Sequence, residues 1–528
     1  MNKNLLLAVS LSLLVYVGWY ALVERRLAPN PPAGKPAAAG HAAGAAPAAA
    51  PAGGAFEVRS ETGAVAPLSS AGPGRKVGEA RDRAKLEAES EKISLGEAEL
   101  LVHPAGAAVV SCKYKGPLGL VELVEDPTPG FFATWPELMF SRQPSAPGVA
   151  RWSASRPDGL KVTKDLSWKG AGSLPLLTVR VSNPTKAAKP VGSWALSLGP
   201  GLGTVDSEKE ENPKVWRALG LTPEGKSTRG RIEAFKDGTH KTGFRWIGVD
   251  NRYFLAALTA PQSFERIDVS HPPMVWFVAP SADLGPGAER AWEIPFYLGP
   301  KGHGMLASFD AGLERSIDLG FFASIGRLIM KLLGWLHGLT GNWGWAIILL
   351  TVVVQIVLFP LSYKTLKSAA AMKKVQPQMQ KLQQQYAKDP QRLNTEMMDL
   401  YKRSGANPLG GCLPLLVQMP VFIALYNALR SSWELHGATW VFWVKDLSAK
   451  DPFYILPVVM GGLMFLQNKF SPSAPTDPMQ AKMMTWMPVI FTFMFLNFPS
   501  GLVLYWLTNS VITVVEQVAL KGHLEKEV

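Results

Sequence analysis

Apolar positions are spread very unevenly along this chain of 528 residues. The first 315 residues hold one apolar run of membrane-crossing length, at 5–23, whereas 316–520 hold a succession of such runs with short polar breaks. Tyr16, Trp19 and Tyr20 lie near the far end of the first run, where amphipathic rings meet a membrane surface, and no small-residue cleavage site closes it immediately. It reads as an uncleaved anchor. In 28–55 every residue except Asn30, Lys35 and His41 is Ala, Pro or Gly, which gives a linker too poor in bulk for a core. From about 92 to 297 the texture changes to short alternating or β-branched runs, such as 177–181, 274–278 and 292–298, broken by Gly, Pro and Asn. This pattern predicts a large antiparallel β-sandwich.

Helical spacing begins with Phe321, Ile325, Leu328, Ile329, Leu332, Trp335, Leu336 and Leu339, while Ser324, Arg327, Lys331 and His337 fall off the stripe. The pattern suits a helix lying in a membrane interface, and equally a soluble helix packed on the β-domain. Five further spans are expected at 343–361, 413–429, 453–466, 483–498 and 502–520. Three of them, of 17, 14 and 16 residues, are shorter than the roughly 20 that a bilayer core needs. Either polar flanks extend these helices or the bilayer is thinned around them.

Charge orients the spans. Residues 363–410 carry nine Lys or Arg against the three acids Asp389, Glu396 and Asp399, which places this loop in the cytoplasm. Alternation then puts 430–452 and 497–501 outside, with both termini inside. Within the loop Met372, Val375, Met379, Leu382 and Tyr386 step by three and four, and the step resumes after Asp389 and Pro390 at Leu393, Met397 and Leu400. Two helices paired as a hairpin are expected, with Pro377 kinking the first or starting it afresh. Its seam methionines read as gap-filling core.

The resulting expectation is a multi-domain membrane protein with six transmembrane α-helices, namely an N-terminal anchor and a five-helix core bundle, a large periplasmic β-sandwich and a cytoplasmic helical hairpin. Its divisions are 1–27 anchor, 28–90 linker, 91–315 β-sandwich, 316–340 interfacial amphipathic helix, 341–520 core with the hairpin at 363–410, and 521–528 a short cytoplasmic tail.

Composition narrows the function. A net charge of +12 suggests nucleic acid, but only 18% of residues are charged and no basic stripe with interleaved aromatics occurs. Two cysteines, Cys112 and Cys412, make no disulfide framework. Residues 220–227 (GLTPEGKS) satisfy the phosphate-loop pattern, yet Pro223 lies inside it, Arg229 and Gly230 come directly after, and neither a buried strand before nor a helix after is predicted. Zinc-hydrolase, paired-cysteine and nucleophile-elbow motifs are missing and the eight histidines are scattered. No catalytic residue, metal or cofactor is expected.

Several motifs occur in order along the second half. Asn407-Pro408-Leu409-Gly410-Gly411-Cys412-Leu413-Pro414 runs into Gln418-Met419-Pro420-Val421-Phe422. Gly341-Asn342-Trp343-Gly344-Trp345 precedes the second span, Asp477-Pro478-Met479-Gln480 precedes Met487-Pro488, and Phe498-Pro499-Ser500-Gly501-Leu502 opens the last span. Together they resemble the YidC insertase family over about 317–520, and the anchor with an outer β-domain is similar to its Gram-negative branch. The resemblance implies a hydrophilic groove open to cytoplasm and lipid and closed outside, which takes the polar segment of a client while its apolar segment slides past the third and fifth spans. It implies that nascent membrane proteins are inserted and folded in the inner membrane, alone or with a Sec translocon. Thr351, Gln355, Gln418, Tyr505 and Asn509 are the candidate groove residues, although a lone Gln or Thr in a bundle also serves simply to bond a neighbouring helix. Met419, Phe422 and Met494 are the candidate slide.

Two departures stand out. Gln355 occupies the place where the family usually has an arginine, so capture of acidic tails by a fixed positive charge is not expected there, while an amide still hydrates. The tail 521–528 is short and nearly neutral, which leaves the basic loop 363–410 as the expected ribosome contact. An assembly factor without insertase activity shares the same surface; a transporter is expected to show related halves or mid-membrane charges, and the core spans show neither plainly.

Overall fold

The computed structural model describes residues 83–170, 172–223, 230–387, 389–404, 413–470 and 478–527. The expected anchor 5–23, most of the linker, the motif residues 407–412 and Asp477 lie outside the described residues. A short helix, Arg83–Ala88, falls within the stretch expected to be linker, and its Arg83 donates to the carbonyls of Val124 and Glu125 at 2.7 and 2.8 Å.

The β-domain starts at Glu91–Leu95, the first strand of a four-stranded antiparallel meander that ends at Gly119–Glu122. A nine-stranded antiparallel sheet runs edge to edge through Ile232–Ala234, Arg217–Leu221, Trp246–Asp250, Phe254–Thr259, Glu289–Pro300, Leu176–Ser182, Lys161–Ser167, Val149–Ser155 and Ser141–Gln143. A second four-stranded sheet orders Trp194–Leu198, Met274–Ala279, Arg266–Ser270 and Gly238–Lys241. One hydrophobic core draws on all three sheets, with Leu100 and Cys112, Val179 and Phe254, and Leu196 and Phe277. The expected sandwich texture therefore has a physical counterpart in layered sheets.

Strand periodicity explains how this domain joins the helices. In Phe254–Thr259, Phe254, Ala256 and Leu258 face the sandwich core, whereas Leu255 and Ala257 face the opposite way into a second cluster. That cluster continues through Leu306, Leu313, Ile317 and Leu319 into the helical bundle. Both faces of these strands are covered, so they read as continuous apolar runs. The phosphate-loop pattern is corrected in one respect: a buried strand, Arg217–Leu221, does precede it. The next element after the pattern, Ile232–Ala234, is an antiparallel strand pairing back on Arg217–Leu221, not a helix whose N-terminus faces a phosphate.

Lys164 is buried at 1% exposure beneath the meander, and its ammonium donates to the carbonyls of Gly106, Ala107 and Phe132 at 2.9, 2.9 and 2.6 Å. Burial pushes its pKa down to about 7. Lys164→Met is expected to leave the buried carbonyls of Ala107 and Phe132 without this donor, Gly106 still accepting from the Thr134 amide, and to lower stability by about 2–4 kcal/mol. Denaturation of the detergent-solubilised protein checks this; a loss below that of an ordinary surface substitution contradicts it.

The described residues continue into seven longer helices: α1 (Ala323–Thr340), α2 (Trp343–Gln385), α3 (Pro390–Ser404), α4 (Leu413–Ser431), α5 (Ile455–Phe470), α6 (Pro478–Phe495) and α7 (Ser500–Glu527). Helix α1 packs against α2 and α4 through Ile329, Met330, Leu333 and Leu336, and leaves Leu328, Trp335 and Leu339 exposed, as is Phe321 just before it. Its apolar residues thus divide between two faces. The span expected to stop at 361 continues instead as one 43-residue helix through Pro360 and Pro377. Each proline removes one backbone bond, but the bonds on either side carry the helix past it, so Pro377 starts no new element. Helix α3 folds back on the end of α2, with Val375 and Met379 packed against Met397, Leu400 and Tyr401. Helix α7 packs on α2 and α5, and α6 on α5.

Candidate functional site

The end of the bundle beside the β-domain is tied together by caps and loop contacts. Gly341, at a φ of +66°, terminates α1, and Asn342 caps α2 by accepting from the amides of Gly344 and Trp345 at 2.9 and 3.2 Å. The same side chain donates to the carbonyls of Thr439 and Trp440 at 3.0 and 3.2 Å, and so pins the 432–452 loop over the helix start. That loop is held from its other side too. Ser500 and Gly501 donate backbone N–H groups to Ala449 and Leu447, and Asp451 caps α5 through the Leu456 amide at 2.7 Å. Trp433 packs on Phe254 of the β-domain at 4.9 Å between ring centres, and the His303 amide donates to Glu434 at 2.5 Å. The motif Gly341 to Trp345 thus has a mechanical meaning: cap, clamp and close approach.

Further into the bundle, four of the five candidate groove residues meet in two pairs. Gln355 of α2 donates to Asn509 of α7, and Gln418 of α4 donates to the Tyr505 hydroxyl of α7 at 2.5 Å. Tyr505 and Asn509 are four residues apart and share one face of α7, so polar side chains from three helices meet at that face. Tyr505 and Gln355 are 1% and 7% exposed, while Gln418 and Asn509 are half-buried. Thr351 does not join them. Its hydroxyl is fully buried and donates to the Ile347 carbonyl one turn back at 2.7 Å, the local bond available to a threonine in a helix. The two pairs contain neither a charge nor a nucleophile beside a base; they offer hydrogen-bond donors and acceptors in an otherwise apolar wall.

The slide candidates separate. Met419 on α4 and Met494 on α6 are exposed at 39% and 44%. Phe422 is half-buried, its ring edge-on to Trp506 at 5.1 Å and within 6.5 Å of Phe495. That ring is committed to holding α4 against α6 and α7.

Sequence reasoning missed the tie between β-domain and bundle. Asp250, fully buried, accepts from Arg217 at 3.1 and 2.8 Å and from Lys301 at 3.0 Å. Arg217 also reaches Asp318 at 2.8 Å, just ahead of α1. Burial alone would raise Asp318, but the Arg217 guanidinium holds it below the usual carboxylate range. Burial lowers Lys301 against the pull of Asp250. Ser431 and Asn427 of α4 donate to the carbonyls of Asp318 and Leu319 at 3.2 and 3.4 Å, so the segment entering α1 is held from both sides. Only spatial proximity reveals this set, because its members lie far apart in sequence.

Comparison with known proteins agrees with this architecture. The family model described as YidC periplasmic domain matches residues 153–332, and that described as 60Kd inner membrane protein matches 335–527. A protein of Endomicrobium trichonymphae named membrane protein insertase YidC is 38% identical over 78% of this chain and 81% of its own length. Proteins of the same name from Aromatoleum aromaticum and Geobacter sulfurreducens are 36% and 38% identical, over 72% and 68% of this chain and 70% and 68% of their own. A solved structure titled as an active YidC insertase with its first transmembrane domain resolved covers 82% of this chain and 95% of its own, at 19% identity and a TM-score of 0.38. With two matching family models in series and relatives of this identity covered over more than two thirds of their length, the chain belongs to the YidC family of membrane protein insertases.

Proposed function

We propose that this chain inserts and folds membrane proteins by giving the hydrophilic segment of a client a hydrated path part-way into the bilayer, while the client's apolar segment moves along α4 and α6. The observation that carries this is the pair of polar contacts, Gln355 to Asn509 and Gln418 to Tyr505, which bring amides and a hydroxyl from three helices to one face of α7. A charged group at mid-bilayer costs roughly 3 kcal/mol or more, and hydrogen-bonding side chains with water lower that barrier. Burial of the client's apolar helix supplies the driving force. The clamp of the 432–452 loop by Asn342 closes the outer side. Exposed Met419 and Met494 give the client an adaptable apolar surface.

In this reading the chain has six spans, with 343–361, 413–429, 453–466, 483–498 and 502–520 forming the core and the basic segment 363–410 forming a cytoplasmic hairpin. Both termini are cytoplasmic and the β-domain is periplasmic. Two helices, α2 and the 500–520 part of α7, are long and apolar enough to cross a membrane among the described residues. Helix α5, with 16 residues, reaches about 24 Å, short of a hydrocarbon core of about 30 Å, which favours a bilayer thinned around the groove. The exposed apolar face of α1 lies in the interface. A Sec translocon and, through 363–410, the ribosome are the proposed partners beside the client and the lipid.

The test is insertion into vesicles carrying the purified protein. Asn509→Leu with Gln355→Leu should lower the yield of a client with a polar translocated tail about tenfold, and hardly alter a client with only an apolar hairpin. An equal fall for both clients contradicts the groove and favours a general assembly role.

A further inference from the structure

The polar path does not end at Asn509. Two contacts set α2 and α7 as parallel neighbours: Gln355 bonds Asn509, 154 positions further on, and Leu520 packs on the cluster of Leu366 and Ala370. Between them the register sets Ser362 opposite Glu516 and Tyr363 opposite Gln517. On α7, Tyr505, Asn509, Ile512 and Glu516 recur at steps of four, three and four, and so share the groove face. The stripe left exposed by the protein is another one, carried by Val511, Val515 and Val518. Glu516 lies roughly 100–160° around the helix from those valines.

Two side chains at this level have acceptors and nothing to accept from. Glu516 is half-buried, and among the described residues neither a basic group nor a hydrogen-bond donor meets its carboxylate. Gln517 is 9% exposed, and its side-chain carbonyl oxygen is buried without a partner. Lys364 of α2 is exposed and lies roughly 200° around that helix from Ser362, so it points away from this level of α7. A carboxylate and an amide oxygen at one level of α7, both without donors, call for donors, and the carboxylate for positive charge above all.

We propose that Glu516, with Gln517, makes the cytoplasmic mouth of the groove selective for clients whose translocated segment carries positive charge or a surplus of hydrogen-bond donors, such as Lys or Arg side chains or a free terminal ammonium. The inference rests on the groove reading given above and deepens it. An acidic segment meets like charge at the mouth and no fixed cation at Gln355 further in. A basic segment is held at the mouth before its apolar helix partitions into lipid.

Three single-span clients that differ only in the charge of the translocated tail, basic, neutral or acidic, test this with the full-length protein in vesicles. Wild type should insert basic tails ahead of acidic ones. Glu516→Gln should shift the basic-to-acidic yield ratio about threefold toward unity, and Glu516→Lys should invert it, both effects shrinking at high salt. Unchanged ratios in both variants overturn the proposal. Asn509→Leu with the neutral-tail client separates the two readings. If that client is indifferent to Asn509→Leu, the groove itself fails and the charge inference with it. If it is lost there while the ratios ignore Glu516, only the charge inference fails.

Discussion

Asp250→Asn is expected to destabilise the β-domain by about 3–5 kcal/mol, because it leaves the buried Lys301 ammonium and the Arg217 guanidinium facing a neutral amide. Asp250 has no exposed surface and Lys301 is 1% exposed, and the pairing of Asp250 with both Lys301 and Arg217 compensates for burying these charges. In a domain of this size such a loss lowers the unfolding midpoint by about 10 °C. Asp318→Asn is the matched comparison. Asp318 binds the same arginine, but its side chain is 59% exposed, so its loss costs under about 1 kcal/mol. Calorimetry of both variants decides the matter: equal and small losses contradict a buried charge triad. Because Arg217 also steadies the segment entering α1, Asp250→Asn should lower insertion beyond its effect on the amount of folded protein.

Gly344→Val should have the largest effect within the bundle. A Cβ at this position stands 2.0 Å from Cδ1 and 2.2 Å from Cγ of Trp440, so the indole has to leave the start of α2 or the helix has to move. Overpacking of this kind costs about 1–3 kcal/mol or more. The displaced ring also breaks the clamp that Asn342 forms with the 432–452 loop, and insertion should fall to a few per cent of wild type if that closure is needed. Gly338→Ala on α1 is the control, since nothing lies within 4 Å of its added carbon and a helical alanine is favoured by about 0.5–1 kcal/mol. A Gly344→Val protein that inserts clients normally would show that the clamp plays no part.

Much of this architecture is legible in periodicity. The change from short alternating runs to helical stripes near residue 316 separates the β-domain from the bundle, and the structure has strands up to Pro300 and helices from Ala323 onward. The candidate amide and hydroxyl residues stand out because they interrupt apolar runs. Their pairing does not stand out. Gln355 and Asn509 are 154 residues apart, Gln418 and Tyr505 are 87 apart, and a local pattern records neither the rotation nor the depth of the helices that bring them together. Thr351 shows the same limit from the other side, a polar residue in the right run whose bond goes to its own helix.

The sequence by itself determined the family and the change from β-rich to helical texture, because side-chain period and motif spacing are properties of neighbouring residues. It also set the start of a span at Trp343, directly after Asn342. Only the tertiary structure decided that the same asparagine clamps a loop almost a hundred residues away, that the half-buried Phe422 packs on Phe495 and Trp506, and that Arg217, Asp250, Lys301 and Asp318 form one junction. These depend on which faces meet. That choice is made by the packing of whole elements against each other, where burial free energy is summed over many residues and no single stretch of chain carries it.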